Sequence, residues 1–415
     1  MRNSSHALSG VSRPLVAITG GGTGGHVYPA LSVVRMLRRL KPNATFMWMG
    51  THGGMERSIV RKYGIRYFAI PAGKFRRYIS FRNVTDLVRI AAGLAASLVI
   101  LLRNRPDLLF AKGGYVTVPP VVAAKLLGIP IVTHESDLDP GVSTRLNARF
   151  AQTILVSYER SIACFSSRLR NRVVVAGIPI RPEIEAADRE LGVRWIVKAL
   201  GSPMRTIVPA NTAISATPQA CGSLSGDTIA PPIPRLILLV LGGSQGALQL
   251  NSLVEESISA LRKRWIVVHQ TGKSSPTMLV RDGYIRTPFL SAEYADVLAA
   301  ADCVVCRAGA TTIWECAYLK RPMILVPLGR AASRGDQIRN AEYFDRRSGA
   351  RILSPTNRDP EGSSKELIKI LDELANDVST RARLGVAARS LILEDATERI
   401  GNLLLHIARK NGRAN

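Results

Sequence analysis

Short runs of consecutive apolar residues recur along the chain, each followed by a stretch with helical spacing. In the first half, Leu15–Thr19, Thr45–Met49, Leu108–Ala111 and Ile131–Thr133 read as strands, and a helix is expected through Pro29–Leu40. The second half repeats the logic with Leu236–Leu241, Trp265–His269, Cys303–Cys306 and Met323–Val326. Strands that alternate with helices predict parallel, doubly wound sheets, and two such blocks predict two Rossmann-like α/β domains. Residues 187–234 break the pattern. Pro203–Pro234 is rich in Ser, Thr, Ala and Pro and closes on Pro231-Pro232-Ile233-Pro234, the composition of an insertion or linker. The expected division is 14–186, the insertion 187–234, a second domain 235–390, and a C-terminal helix with a basic tail over 391–415.

The longest apolar run, Ile90–Leu102, is shorter than the roughly 20 residues a bilayer span needs, so it reads mainly as a core helix. No secretory signal is expected, because Met1–Pro14 is polar and Leu15–Thr19 is too brief for a hydrophobic signal core. The 415 residues exceed what one hydrophobic core usually serves, which agrees with two domains. Cys164, Cys221, Cys303, Cys306 and Cys316 make an odd, uneven set that argues against a disulfide framework and suits a reducing compartment. Cys303 and Cys306 form a CxxC inside an apolar strand, where residues three apart face opposite sides, so packing is the expected role and zinc or redox chemistry is not.

The formal net charge is +25, and residues 1–186 hold 26 Lys and Arg against 9 Asp and Glu, so that part carries +17. An excess of that size predicts an anionic partner: nucleic acid, a phosphorylated substrate or an anionic membrane surface. General solubility is the plain alternative, weakened by the asymmetry.

Two glycine-rich turns each follow a strand and open a helix. In Gly20-Gly21-Gly22-Thr23-Gly24-Gly25-His26, the glycines let backbone amides approach an anion closely, and the helix N-terminus adds its partial positive charge. The spacing formally satisfies GxGxxG, and a dinucleotide site would then need an acid near the end of the second strand. That strand ends Trp48-Met49-Gly50-Thr51, which counts against a nicotinamide or flavin cofactor. The second turn is Gly242-Gly243-Ser244-Gln245-Gly246-Ala247, with Asn251 in the helix after it. Neither ends in Gly-Lys-Ser/Thr, so nucleoside triphosphate hydrolysis is not expected. Two such turns suit a clamp on a diphosphate.

Two further blocks carry polar side chains. In Arg307-Ala308-Gly309-Ala310-Thr311-Thr312-Ile313-Trp314-Glu315, Glu315 could accept two hydrogen bonds from a ribose diol, or simply complement the helix dipole. Asp336, Gln337 and Asn340 lie at helical spacing and suit either sugar hydroxyls or a solvated face.

These blocks, in this order, resemble the MurG family of UDP-N-acetylglucosamine transferases. The motifs are GGTGGHVYPAL, HESDLDPG, GGSQGA with its following Asn, RAGATTIWE and DQIRNA, and the resemblance runs from about Leu15 to the C-terminal helices, apart from the insertion. It implies a GT-B fold, two Rossmann-like domains facing a cleft, with the acceptor domain first and the UDP-sugar domain second. It implies inverting transfer of GlcNAc from UDP-GlcNAc to a lipid-linked muramyl-pentapeptide, lipid I, giving lipid II for peptidoglycan. Another UDP-sugar transferase of this fold, or a non-catalytic nucleotide-sugar-binding homologue, is the alternative.

By resemblance, Ser244 binds diphosphate, Arg181 contacts the nucleotide and Leu290 lines the uracil pocket. Ala310, Thr311, Thr312 and Glu315 hold the nucleotide, Gln337 reads the sugar, and Thr23, Gly24 and Gly25 line the cleft. Asp336 and Asn340 are further candidate sugar contacts. Asp137 stands where the family usually has Asn near the transferred sugar, Ile178 where it has Asn, and Asp336 where it commonly has His or Gln. An acid in place of an amide removes a donor, although a sugar hydroxyl can still donate to it.

Inversion needs a base near the acceptor hydroxyl. His26 is the first candidate, with a loop-orienting or phosphate-orienting role as the alternative, and Asp137 is a second candidate. Asp137-Leu138-Asp139 imitates a DxD metal motif, but Pro140-Gly141 follow, so Asp139 is expected in turn or N-cap chemistry and no metal or other cofactor is expected. Lys74–Arg82 interleaves bases with aromatics; Phe75, Arg76, Arg77, Tyr78 and Phe81 are the expected membrane contacts. A peripheral location on the cytoplasmic face of the inner membrane follows from the lipid-linked acceptor. A nucleic-acid partner is not expected.

Overall fold

The computed structural model describes residues 13–73, 82–201, 235–243, 247–272, 277–329, 335–354 and 359–412. Ser244, the Phe75–Phe81 segment and most of the expected insertion lie outside them. The chain divides into two compact units. One holds the residues up to Arg181 together with those from Leu393 onward, and the other is Pro182–Ile392.

The first unit contains β1 (Leu15–Thr19), β2 (Thr45–Thr51), β3 (Arg66–Ile70), β4 (Leu108–Ala111), β5 (Ile131–His134), β6 (Thr153–Val156) and β7 (Val173–Val175). Their order in the sheet is β3-β2-β1-β4-β5-β6-β7, all parallel. Successive side chains of β1 point to opposite faces, and both faces are covered. Val16 and Ile18 join Trp48 and Phe110 under helix α1 (Gly24–Leu40) on one side. Ala17 joins Met47, Met49, Leu109 and Ala111 on the other.

The C-terminal helix Ala396–Gly412 packs beside α1, adding Ile400, Leu404 and Ala408 to the first of these cores. At their contact, a Cβ on Gly401 would stand 2.9 Å from Met36 Cγ. Thr397 Oγ1 accepts from Ile180 N at 3.1 Å. The expected boundaries therefore shift: the first unit ends at Arg181, and the C-terminal helix belongs to it.

Helix α2 (Met55–Lys62) lies between β2 and β3, and helix α3 (Arg82–Asn104) between β3 and β4. The expectation of a short, mainly buried helix at Ile90–Leu102 needs correction. The helix has 23 residues, and Thr85–Asn104 is long and apolar enough, by length and composition, to cross a membrane, with only 22% of it buried. Ser97 and Leu101 face the unit's interior, whereas Leu87 and Val88 are each 64% exposed. Counting only the uninterrupted apolar run missed the first turns, which carry Asp86 and Arg89 among apolar residues.

The second unit has β8 (Leu236–Leu241), β9 (Trp265–Gln270), β10 (Leu279–Arg281), β11 (Tyr284–Thr287), β12 (Cys303–Cys306), β13 (Met323–Leu325) and β14 (Arg351–Ile352). Their order is β10-β11-β9-β8-β12-β13-β14, parallel except for the β10–β11 pair. Residues 182–200, expected partly as linker, are built into this unit. Helix Arg189–Leu200 lies so close to helix Tyr294–Ala300 that a Cβ on Gly192 would stand 2.1 Å from Asp296 O. Arg189 adds bonds to Ala300 O at 2.6 Å and Asp302 Oδ1 at 2.9 Å.

Candidate active site

In each sheet the strand order reverses beside the first strand of the unit, at β1/β4 and at β8/β12. Where the order reverses, the flanking connections leave to opposite faces and open a crevice outside the carboxyl ends of the strands. Both glycine turns sit at such a point.

In the first unit, β1 runs into Gly20–Thr23 and then α1. Gly20 O accepts from the Trp48 indole at 3.1 Å, and Gly22 has φ +89°. The His26 Nδ1 lies 2.9 Å from Gly21 O and 3.4 Å from Thr23 Oγ1. A carbonyl only accepts, so Nδ1 carries the hydrogen, and the neutral ring keeps its basic lone pair on Nε2. Burial, and next the positive charge of Lys112, lower the His26 pKa against the opposing pull of Gly21 O, Glu135 and Glu56. These influences favour the neutral imidazole, the state a base needs.

An acid does stand at the end of the second strand, contributed by α2 rather than by the strand. Glu56, fully buried, accepts from Thr51 Oγ1 at 2.6 Å and Thr51 N at 3.0 Å through Oε1, and from Gly22 N at 3.5 Å through Oε2. A Cβ on Gly21 would be 2.6 Å from its Oε1, so glycine there is a steric condition of this bracing. The carboxylate is committed to the turn itself, which explains how an acid can occupy this place without a ribose.

The chain after β4 makes a second glycine turn that sequence reading passed over. Gly113 and Gly114 have φ +99° and +87°. A Cβ on Gly113 would lie 3.3 Å from His26 Nε2, and one on Gly114 would lie 2.5 Å from Gly21 O. The two turns thus pack on each other around the imidazole. Lys112, 1% exposed, donates to Ser136 Oγ, and burial pushes its pKa down to about 8 against the attraction of Glu135 and Asp137.

The segment after β5 is organised by Glu135. Its carboxylate accepts from Ser136 N (2.9 Å), Asp137 N (3.2 Å), Gly141 N (2.9 Å) and Thr144 Oγ1 (2.6 Å). Asp139 lies in the bend that precedes the next helix, in keeping with a turn, but it is not the N-cap residue. Gly141 is the N-cap residue of helix Val142–Ala148, and Glu135 supplies the carboxylate at that helix start. Asp139 Oδ1 instead faces Cys164 Sγ at 3.7 Å. Arg181 lies with its guanidinium carbon 5.0 Å from the centre of the Tyr28 ring on α1.

In the second unit, Gly242 N donates to Gln270 O at 3.2 Å, and Gly243 takes φ +79°. Asn251 braces this end of the sheet. Its Nδ2 donates to Thr271 O at 3.0 Å, and its Oδ1 meets His269 Nε2 at 3.1 Å, whose Nδ1 meets Tyr284 OH at 3.0 Å. At the end of β12, Arg307 donates to Val326 O at 3.1 Å and lies 3.4 Å from Gln249 Oε1. Gly309 caps helix Ala310–Tyr318, with Ala310 buried and Thr311 and Thr312 half-buried.

Glu315 is the sixth residue of that helix, past the first turn, so dipole complementation does not account for it. It is buried, and its Oε2 accepts from Tyr294 OH at 2.9 Å. Leu290 is buried with its N–H on Gln270 Oε1 at 3.0 Å, while Phe289 beside it is exposed. Gln337 Oε1 accepts from Leu328 N at 3.1 Å, and Asp336 pairs with Arg339 at 2.8 Å. Asn340 is fully buried and donates to Ala308 O at 3.2 Å, so it does not belong to a solvated face.

Comparison with known proteins gives this arrangement a family. The glycosyltransferase family 28 N-terminal domain matches residues 16–156, and the family 28 C-terminal domain matches residues 237–399. A Treponema denticola UDP-N-acetylglucosamine--N-acetylmuramyl-(pentapeptide) pyrophosphoryl-undecaprenol N-acetylglucosamine transferase is 39% identical, over 81% of this chain and 83% of its own length. The protein of the same description from Treponema pallidum is 38% identical over 95% of this chain and 94% of its own. The crystal structure of Acinetobacter baumannii MurG has the same fold, with a TM-score of 0.64 at 22% identity over 95% of this chain and 99% of that one. The chain therefore belongs to glycosyltransferase family 28, has the GT-B fold, and is a member of the MurG family within it.

Proposed function

We propose that this chain transfers GlcNAc from UDP-GlcNAc to lipid I, an undecaprenyl-pyrophosphoryl-MurNAc-pentapeptide, to form lipid II. The kinship of nearly the whole chain to transferases of that name carries this reading. In a single inverting displacement, the acceptor oxygen forms a bond to the anomeric carbon as the bond from that carbon to UDP breaks. The acceptor proton leaves to a base, and UDP departs with the bonding pair.

His26 takes that proton on Nε2. What supports this is its tautomer, fixed by the bond to Gly21 O, and its depressed basicity. Thr23, Gly24 and Gly25 present the turn and the start of α1 to the reacting groups. On the second unit, the Gly242–Ala247 turn with Ser244 takes the donor diphosphate, and Arg307 supplies positive charge nearby in place of a metal. Ala310, Thr311, Thr312 and Leu290 bound the nucleotide. Glu315 and Gln337 reach the ribose and the sugar by exchanging their present partners, and Asp137 and Asp336 are further sugar contacts.

The protein works at a membrane surface, peripheral on the cytoplasmic face. The exposed apolar side of α3 (Leu87, Val88, Val99 and Leu102) supports this together with the basic charge of the N-terminal part. Incubation with labelled UDP-GlcNAc and lipid I, or a short-chain analogue, tests the reaction; a folded protein saturated with donor that yields no lipid II ends this reading. Co-sedimentation with anionic vesicles tests the surface. Replacing both Leu87 and Val88 by Glu should weaken it about ten-fold or more, given about 1.5–3 kcal/mol per buried aliphatic side chain.

A further inference from the structure

Lys112 is a buried ionisable group to which the reaction above gives no role. Its backbone N–H donates to Thr19 O at 2.8 Å, continuing the β1–β4 ladder one residue past the strand. The side chain then runs under the first glycine turn, where a Cβ on Gly20 would stand 3.3 Å from Lys112 Cβ. Only 1% of it is exposed, and its Nζ donates to Ser136 Oγ. A buried ammonium is costly unless opposite charge compensates it, and Glu135 and Asp137 provide that charge. The next residue, Gly113, carries the backbone past the edge of His26 that bears Nε2. One cation therefore lies among the three segments that frame the imidazole.

We propose that Lys112 is a positioning residue for the transfer: its ammonium ties the end of β4 to the Ser136–Asp137 segment, and this tie holds the turns that frame the imidazole with Nε2 presented to the acceptor. The proposal rests on the reading of His26 as the base. The charged and titratable groups acting on His26 come from every side of the crevice. Glu56 from α2 and Glu135 after β5 favour its protonation, whereas Lys112 and burial oppose it. His134 on β5, itself held neutral by burial with its Nε2 2.8 Å from Gly177 O, is the remaining ring nearby. Without Lys112 only burial opposes the two carboxylates, and His26 holds its proton to higher pH. Above about pH 8 the native lysine loses its charge; His26 is already neutral there, and what weakens is the hold of the ammonium on the Ser136–Asp137 segment.

The test is a histidine-resolved NMR titration of the full-length protein without acceptor, combined with kcat/KM against pH, for wild type, Lys112→Met and Lys112→Arg. UDP-GlcNAc affinity serves as the fold control. In Lys112→Met, the His26 pKa should rise by about 1 pH unit, as removal of a charge in its immediate surroundings implies. The acid limb of the rate profile should move with it, and kcat should fall while the donor KM holds. In wild type an alkaline limb near pH 8 is expected, and Lys112→Arg, whose charge persists, should carry activity beyond it. These two measurements decide the matter even if the Met variant does not fold. Unchanged His26 titration and an unchanged profile in folded Lys112→Met overturn the proposal, as does a loss of kcat with no shift in His26. If the His26 shift is present but His26→Ala turns over normally, the base reading fails instead and Lys112 loses its catalytic consequence.

Discussion

The bracing of the first glycine turn by Glu56 gives a prediction that isolates one atom. Glu56→Gln keeps the side-chain volume, so no cavity forms. The amide oxygen will take the place of Oε1, which holds the two shorter bonds, to Thr51 Oγ1 at 2.6 Å and Thr51 N at 3.0 Å. The amide NH2 must then replace Oε2 and faces Gly22 N–H, donor against donor, where a 3.5 Å contact now exists. Leaving a buried donor unsatisfied costs about 1–3 kcal/mol. At about 2–4 °C per kcal/mol for a unit of this size, the melting midpoint should fall by about 2–12 °C. The strain falls on Gly22, four residues before His26, so kcat/KM should drop about 10- to 100-fold, in keeping with small misplacements of reacting groups. Donor affinity, a property of the second unit in this reading, should hold. Scanning calorimetry and initial rates with each substrate varied provide the check. A Gln variant with native midpoint and native kcat/KM would refute the claim that Glu56 holds the turn.

Other substitutions probe the same argument. His26→Ala should lower kcat by about 10²- to 10⁴-fold with UDP-GlcNAc binding intact; near-normal turnover in a rapid-quench assay removes His26 from the base role. Gly114→Ala combines a φ of +87° with a Cβ 2.5 Å from Gly21 O, so soluble variant protein should lose most transfer activity, and near-native activity would contradict the packing of the two turns. Burial, with the positive charge of Arg286 next, lowers the His269 pKa to about 4. Between about pH 6.5 and 4 the unfolded chain then binds the extra proton, so stability rises with pH across that window and is lost as pH falls through it, by about 3 kcal/mol in all. Urea midpoints from pH 4 to 7 would show this, and a His269→Phe variant with the same slope would show that another group is responsible.

The strands legible in the sequence are those surrounded by protein. Leu15–Thr19, Leu108–Ala111, Leu236–Leu241 and Cys303–Cys306 lie in the middle of their sheets and coincide with the observed strands residue for residue. The strands passed over lie toward the sheet margins. Arg66–Ile70, Val173–Val175, Leu279–Arg281 and Arg351–Ile352 are edge strands, half-exposed or as short as two residues, and do not form long apolar runs; Thr153–Val156 and Tyr284–Thr287, also passed over, are mostly buried and lie one place in from an edge. Chemistry follows a similar rule. Glycine turns and polar blocks are local signals and were readable. Trp48 on Gly20, Glu56 on Gly22 and Lys112 on Ser136 join residues 24 to 34 apart, and no local pattern records such pairings. The same limit explains Asn340, whose helical spacing suggested an open face although the tertiary fold turns it inward onto Ala308.

By itself the sequence determined two doubly wound α/β units, a glycine turn after the first strand of each, and a family. Periodicity and glycine placement are consequences of local backbone and solvent physics, and they survive in one dimension. Only the tertiary structure decided that the C-terminal helix returns to the first unit, that Glu135 supplies the carboxylate at the start of helix Val142–Ala148, and that, among the described residues, α3 keeps an exposed apolar side. It also decided the charge around His26. An imidazole's basicity is set by burial and by whichever charges the fold brings to it, and these come from α2, the end of β4 and the end of β5.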